Sequence, residues 1–166
     1  FLASLLAFSS CREEPNYPAE PRIEAEDVSV YRLAATRTLP QRDSIVLKIY
    51  YEDGNGDLGL SPEDLNPPFN SGSPFHHNFI VDVLMKQPDG SFKPLSTAFS
   101  YNGRFPVLPP DLSKSGSIEG TISYGGIVFP VRQFPNGQVF KFSVFIYDRA
   151  LNKSNVVETE EIQLNY

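Results

Sequence analysis

VFKFSVFIY, residues Val139–Tyr147, is the stretch on which the fold turns. Phe140, Phe142, Val144 and Ile146 fall on one side of it, and Lys141, Ser143 and Phe145 on the other. That period of two marks a strand with one buried face. The pattern recurs upstream. Ile45, Leu47, Ile49 and Tyr51 share a face, and Phe79, Val81, Val83 and Met85 alternate with Ile80, Asp82, Leu84 and Lys86. Gln87–Gly90, QPDG, is a Pro-initiated turn closing on Gly, and it predicts Phe92–Leu95 as the returning strand. Ile118, Gly120 and Ile122 alternate with Glu119, Thr121 and Ser123, after which YGG reads as a turn into Ile127–Val131. Asn136-Gly137 is another strong turn signal. Val156–Tyr166 reads as a last strand ending in Ile162 and Leu164.

No long window shows a helical period. Ser61-Pro62-Glu63-Asp64 has the residues of a single helical turn, with Ser as cap and Pro in first position. PPDLSKSG, Pro109–Gly116, reads as a second short turn. The 15 prolines oppose long helices and favour short elements. The expected fold is all-β: an antiparallel β-sandwich of about seven to nine strands, spanning residues 23–166. A formal charge of −6 makes nucleic acid a poor partner, and none is expected.

The first residues differ in kind. Phe1–Ser10, FLASLLAFSS, is uncharged and apolar, too short to span a bilayer, and reads as the h-region of a signal peptide whose start is missing. It ends at Cys11, the only cysteine. Residues 11–22 hold three prolines and three glutamates and read as a solvated spacer. Small residues directly before a single Cys resemble a bacterial lipoprotein lipobox, with Phe8 where an aliphatic residue is usual. The resemblance implies acylation of Cys11, with palmitate-like chains anchoring the protein. Arg12, Glu13 and Glu14 are similar to the signal that sends lipoproteins of Bacteroidota to the outer face of the outer membrane. That implies a surface location in a Gram-negative bacterium.

FSVFIYDRALNKSNVVETEEIQL, Phe142–Leu164, resembles the last two strands of bacterial Ig-like domains. Asp148, Ala150, Asn152, Ser154 and Asn155 match, and Leu151 stands where Gly is usual. The sandwich is therefore expected to be Ig-like in architecture, although antibody-type Trp and paired cysteines are absent.

The polar stretch YEDGNGDLGLSPED, Tyr51–Asp64, follows the strand at Ile45. Asp53, Asn55 and Asp57 have the alternate oxygen spacing of an EF-hand's first half. Leu58 then occupies the place of the required Gly, Asp64 replaces the bidentate Glu, and a strand replaces the entering helix. DGNGDLG is similar instead to the DGDGDLG stretch of Bacteroidota lipoproteins with Ig-like domains. Two readings stand: a Ca²⁺ loop with Asp53, Asn55, Asp57 and Asp64 as ligands, or a turn whose Asn and Asp bond their own backbone. In an Ig-like sandwich this loop and the loop at Asp148–Asn155 lie at one end. Asp148 and Asn152 then either complete the shell or shape only their own loop.

Other chemistry is sparse. His76 and His77 would point to opposite faces of a strand, which argues against one shared zinc. Glu160 and Glu161 read as solvated charge. Tyr101, Phe105, Tyr124 and Phe129 suit either a sugar- or protein-contacting surface or, at strand spacing, the core. No nucleophile, base and orienter can be assembled from two His and one lipid-committed Cys. The expectation is a non-catalytic binding or scaffolding module with an unknown protein or glycan partner. The alternatives are a secreted hydrolase or a purely structural membrane spacer.

Overall fold

The computed structural model describes residues 16–97, 99–108 and 116–165. Cys11, the apolar stretch before it and most of the turn at Pro109–Gly116 lie outside the described residues. Within them the chain is all-β, with eight strands in two antiparallel sheets. One sheet has the order β1 (Arg22–Leu33), β2 (Arg42–Asp53), β5 (Ile118–Pro130). The other has β4 (Phe92–Pro94), β3 (Phe79–Lys86) and β6 (Gln138–Ile146) in that order. β7 (Val157–Glu158) and β8 (Ile162–Leu164) both pair with the far side of β6. The chain changes sheet after β2, after β4 and after β5, which is the connectivity of an Ig-like sandwich.

The period-two faces form the core. Ile45, Leu47 and Ile49 of β2 and Phe140, Phe142, Val144 and Ile146 of β6 are completely buried and belong to one cluster. Each such side chain contributes about 1.5–3 kcal/mol by leaving water. Tyr101, Phe105 and Phe129 are buried in the same cluster, and Tyr124 packs on it. Of the two readings for these aromatics, the core is the one the structure takes. Tyr124 stacks on Phe79 at 4.1 Å and donates its hydroxyl to the Tyr101 carbonyl at 2.6 Å.

Three local expectations need correction. Tyr124-Gly125-Gly126 is not a turn, because β5 runs through it. Leu47 faces Tyr124 and Ile45 faces Ile127, so Gly125 and Gly126 together stand opposite Val46 in a β-bulge. The extra residue moves the buried set from Ile118 and Ile122 to Ile127 and Phe129. A Cβ on Gly126 would lie 2.5 Å from the Tyr124 hydroxyl, so this bulge needs a glycine beside that ring.

The last strand is split in two. At the break Thr159 supplies its hydroxyl oxygen to the Phe142 N–H at 3.1 Å, and its own N–H to the Phe142 carbonyl at 2.9 Å. Ser61–Asp64 does form a single turn, closed by Asp64 N–H on the Ser61 carbonyl at 3.2 Å, and it goes no further. Ser61 N–H donates to Asp64 Oδ2 at 2.7 Å and Glu63 N–H to Ser61 Oγ at 3.2 Å. Asn66-Pro67-Pro68 follows at once, and proline keeps its predecessor out of the helical region. Finally, the expected spacer is not solvated throughout. Arg22 already belongs to β1, and Tyr17 and Pro18 contact the domain.

At the end of β2 opposite Asp53, Asp43 is fully buried. Its carboxylate accepts from Arg32 Nε at 2.5 Å and Nη2 at 3.3 Å, and Arg32 also bonds the Asn165 carbonyl at 2.8 Å.

Candidate metal centre

Two strands carry aspartates into one place by alternation alone. On β2 the inward series Ile45, Leu47, Ile49, Tyr51 continues to Asp53, which is completely buried. On β6 the inward series ending in Val144 and Ile146 continues to Asp148, which is 2% exposed. The two strands belong to opposite sheets, so the aspartates meet across one end of the sandwich. Asp57 joins them from the loop after β2. One carboxylate oxygen each from Asp53, Asp57 and Asp148 lies within 4.8 Å of the others.

Backbone amides hold the three side chains. Asp57 N–H donates to Asp53 Oδ2 at 3.1 Å, and Ala150 N–H to Asp57 Oδ2 at 3.1 Å. Arg149 N–H donates to the Asp57 carbonyl at 3.2 Å, and Leu58 bridges Asp148. The expected neighbourhood of the two loops is thus present. Asn152 does not join the group. Its backbone and side-chain amides bond the two oxygens of Asp148 at 2.7 and 2.8 Å and fix that carboxylate. So Asp148 reaches across, and Asn152 shapes its own loop.

Asp53 Oδ1 and Asp57 Oδ1 are buried and have no hydrogen-bond partner among the described residues. Leaving such an oxygen unpaired is costly for an anion. Burial, with Asp57 and Asp148 nearby, pushes Asp53 up to about 6. Burial and then Asp148 push Asp57 up as well. The site is therefore short of positive charge. Ca²⁺ bonds oxygens at about 2.3–2.6 Å, so two ligands on opposite sides of it stand roughly 5 Å apart. The spacing of the triad fits around one ion, and the aspartates could hold a metal.

The expected ligand set is changed in the structure. Asp64 lies elsewhere: it takes Arg149 Nη1 at 2.6 Å and Nη2 at 3.0 Å. That guanidinium holds its carboxyl well below the usual carboxylate range. Asn55 is exposed at the loop surface. His76 and His77 are in a loop and not in a strand, and their rings meet edge to face at 4.8 Å. His76 Nδ1 sits 3.1 Å from the Phe69 carbonyl.

Arg149 was not singled out by sequence, and nothing in its spacing from Asp64 advertised the pair. Leu151 carried a signal, since Gly was the usual residue at its place. Its φ is +71°, a left-handed conformation that an L side chain resists. Leu151→Gly is expected to stabilise the domain by about 1 kcal/mol in a denaturant melt. Destabilisation would mean that packing of Leu151 outweighs its backbone strain.

The glycines of DGNGDLG each admit another backbone. A Cβ on Gly54 would lie 2.2 Å from the Tyr17 carbonyl oxygen, one on Gly56 2.2 Å from that of Gly116, and one on Gly59 2.1 Å from that of Pro106. The loop is thereby the meeting place of three chain segments besides the one at Asp148.

The fold and site together define an Ig-like β-sandwich with a buried acidic centre at one end. Compared with known protein families, curated proteins and solved structures, the chain has no match.

Proposed function

We propose that this chain is a non-catalytic binding or scaffolding module, anchored at the outer face of a bacterial outer membrane through a lipid on Cys11, and that its aspartate triad holds one structural Ca²⁺. The observation that carries the cation is the pair of buried, unpartnered oxygens, Asp53 Oδ1 and Asp57 Oδ1, facing a third carboxylate. Ca²⁺ suits the site better than Mg²⁺. It tolerates irregular oxygen shells, and Mg²⁺ demands a near-ideal octahedron and gives up water reluctantly. Backbone carbonyls and water would complete its six to eight ligands.

An ion there acts on the fold. It joins the end of β2 in one sheet to the end of β6 in the other, and it removes the repulsion among three buried carboxylates. A rigid end suits a module that presents a surface to a protein or glycan. The anchor rests on the small residues before Cys11 and on Arg12, Glu13 and Glu14 after it.

Calorimetric titration of the purified protein with CaCl₂ is expected to show one ion per chain, and Asp53→Asn or Asp148→Asn should abolish binding. The absence of any heat in a chelator-stripped wild type would overturn the cation reading. The anchor is checked by mass: protein from its native membrane should begin at a lipid-modified Cys11. An unmodified Cys11 in membrane-extracted protein would remove it.

A further inference from the structure

The segment before β1 lies on the loop of the acidic centre. Gly54, the residue after Asp53, donates its N–H to the Pro18 carbonyl at 2.8 Å. Tyr17 reaches over to Glu119 of β5 with its hydroxyl. Glu119 also accepts from the Tyr50 hydroxyl at 3.3 Å, so the acceptor is held from β2 as well. The segment rests against bare backbone, because a Cβ on Gly54 would be 2.2 Å from the Tyr17 oxygen and 2.5 Å from the Pro18 oxygen.

Gly54, Asn55 and Gly56 form the span between two of the three carboxylates. Two of these three residues are glycines, which have the most backbone freedom to lose. Asp53 Oδ1 and Asp57 Oδ1 are each buried and unpaired among the described residues, one oxygen of each carboxylate lies within 4.8 Å of the other's, and the repulsion between the two carboxylates acts along this span. An ion shared by the two carboxylates fixes both ends of it. It thereby fixes the Gly54 peptide, whose N–H is the polar contact of the loop with Pro18.

We propose that cation occupancy of the aspartate triad controls docking of the Tyr17–Pro18 segment, a reading that rests on the cation assignment of that centre. Binding couplings are reciprocal: if the ion favours docking, docking favours the ion by the same factor. The segment leads back toward Cys11. The centre therefore sets how firmly Tyr17 and Pro18 are held on the sandwich.

Gly54→Ala is a selective probe. Its φ is outside the left-handed region, and the clash of the added Cβ falls on Tyr17 and Pro18. In the full chain, Gly54→Ala is expected to weaken Ca²⁺ binding about fivefold or more by calorimetry, the lower range of allosteric coupling. Tyr17→Phe, which removes the hydroxyl and with it the contacts to Glu119 and Tyr50, should weaken it in the same direction and less. Hydrogen exchange of the wild-type Gly54 amide should be about fivefold or more slower with Ca²⁺ than with EDTA.

Unchanged affinity in both variants, or equal exchange at Gly54 with and without the ion, overturns the coupling and leaves the cation site standing. Failure of the wild type to bind Ca²⁺ overturns both. Should Gly54→Ala not fold, Tyr17→Phe and the wild-type exchange decide the matter.

Discussion

Melted at neutral pH, the protein should unfold at a clearly higher temperature in Ca²⁺ than in EDTA. An ion present at a hundred times its dissociation constant adds about 2.7 kcal/mol to the folded state. For a chain of this size that is roughly 5–10 °C. The difference should shrink as pH falls from 7 toward 5, and the sign follows from the site. Asp53 is pushed up to about 6 and Asp57 is raised too. Without the ion, the folded protein binds protons that the unfolded chain releases between about pH 4 and 6. Its stability in EDTA therefore rises as pH falls through that window. With the ion, protons compete for the same oxygens, and the Ca²⁺ contribution falls. A melting difference independent of pH, or one retained in Asp53→Asn, would place the ion elsewhere.

Arg32→Met should cost about 3 kcal/mol, among the largest effects of any single substitution. Asp43 is completely buried, and Arg32 is the cation beside it. Removing the guanidinium leaves a carboxylate in the core without its counter-charge, a loss in the range of about 3–5 kcal/mol. The lower figure applies because the Arg32 side chain is 37% exposed and water can reach the vacated place. Adding Asp43→Leu to Arg32→Met should restore most of the stability, since a buried pair replaced by apolar groups is often neutral. Denaturant melts of the single and double variants measure both. A single variant as stable as wild type would show that other groups carry the Asp43 charge.

The sandwich was legible because burial in a sheet is written with period two. Ile45–Tyr51 and Phe140–Ile146 needed no other information. The same rule, extended by one step at each strand end, would have placed Asp53 and Asp148 inward. An EF-hand template hid this by favouring sequence spacing over strand parity. Asn55 and Asp64 have the spacing of ligands, but Asn55 falls on the exposed side of the loop and Asp64 beside Arg149. That pairing joins residues far apart in sequence and has no local signature. The bulge at Gly125-Gly126 was misread because two glycines signal a turn and a bulge alike. The shift of the buried set from even to odd positions distinguishes them. The hold on Tyr17 and Pro18 was hidden by composition, since a segment rich in Pro and Glu reads as solvated.

The way the chain enters the sandwich bears on how it resists force. β1 and β2 run antiparallel, so Arg22 faces Glu52 at one end and Leu33 faces Arg42 at the other. A pull on the chain ahead of Tyr17, away from the sheet, would open that ladder one rung at a time. This is unzipping, in which the rungs never share the load. Three fastenings stand at or before the first rungs: Pro18 on Gly54, Tyr17 on Glu119, and Asn155, whose amide clasps Ile23 at both N–H and C=O at 2.8 and 2.9 Å. Under tension the tearing point is thus set by loops at the acidic end, and the long strand pair behind them is spared until those loops give way.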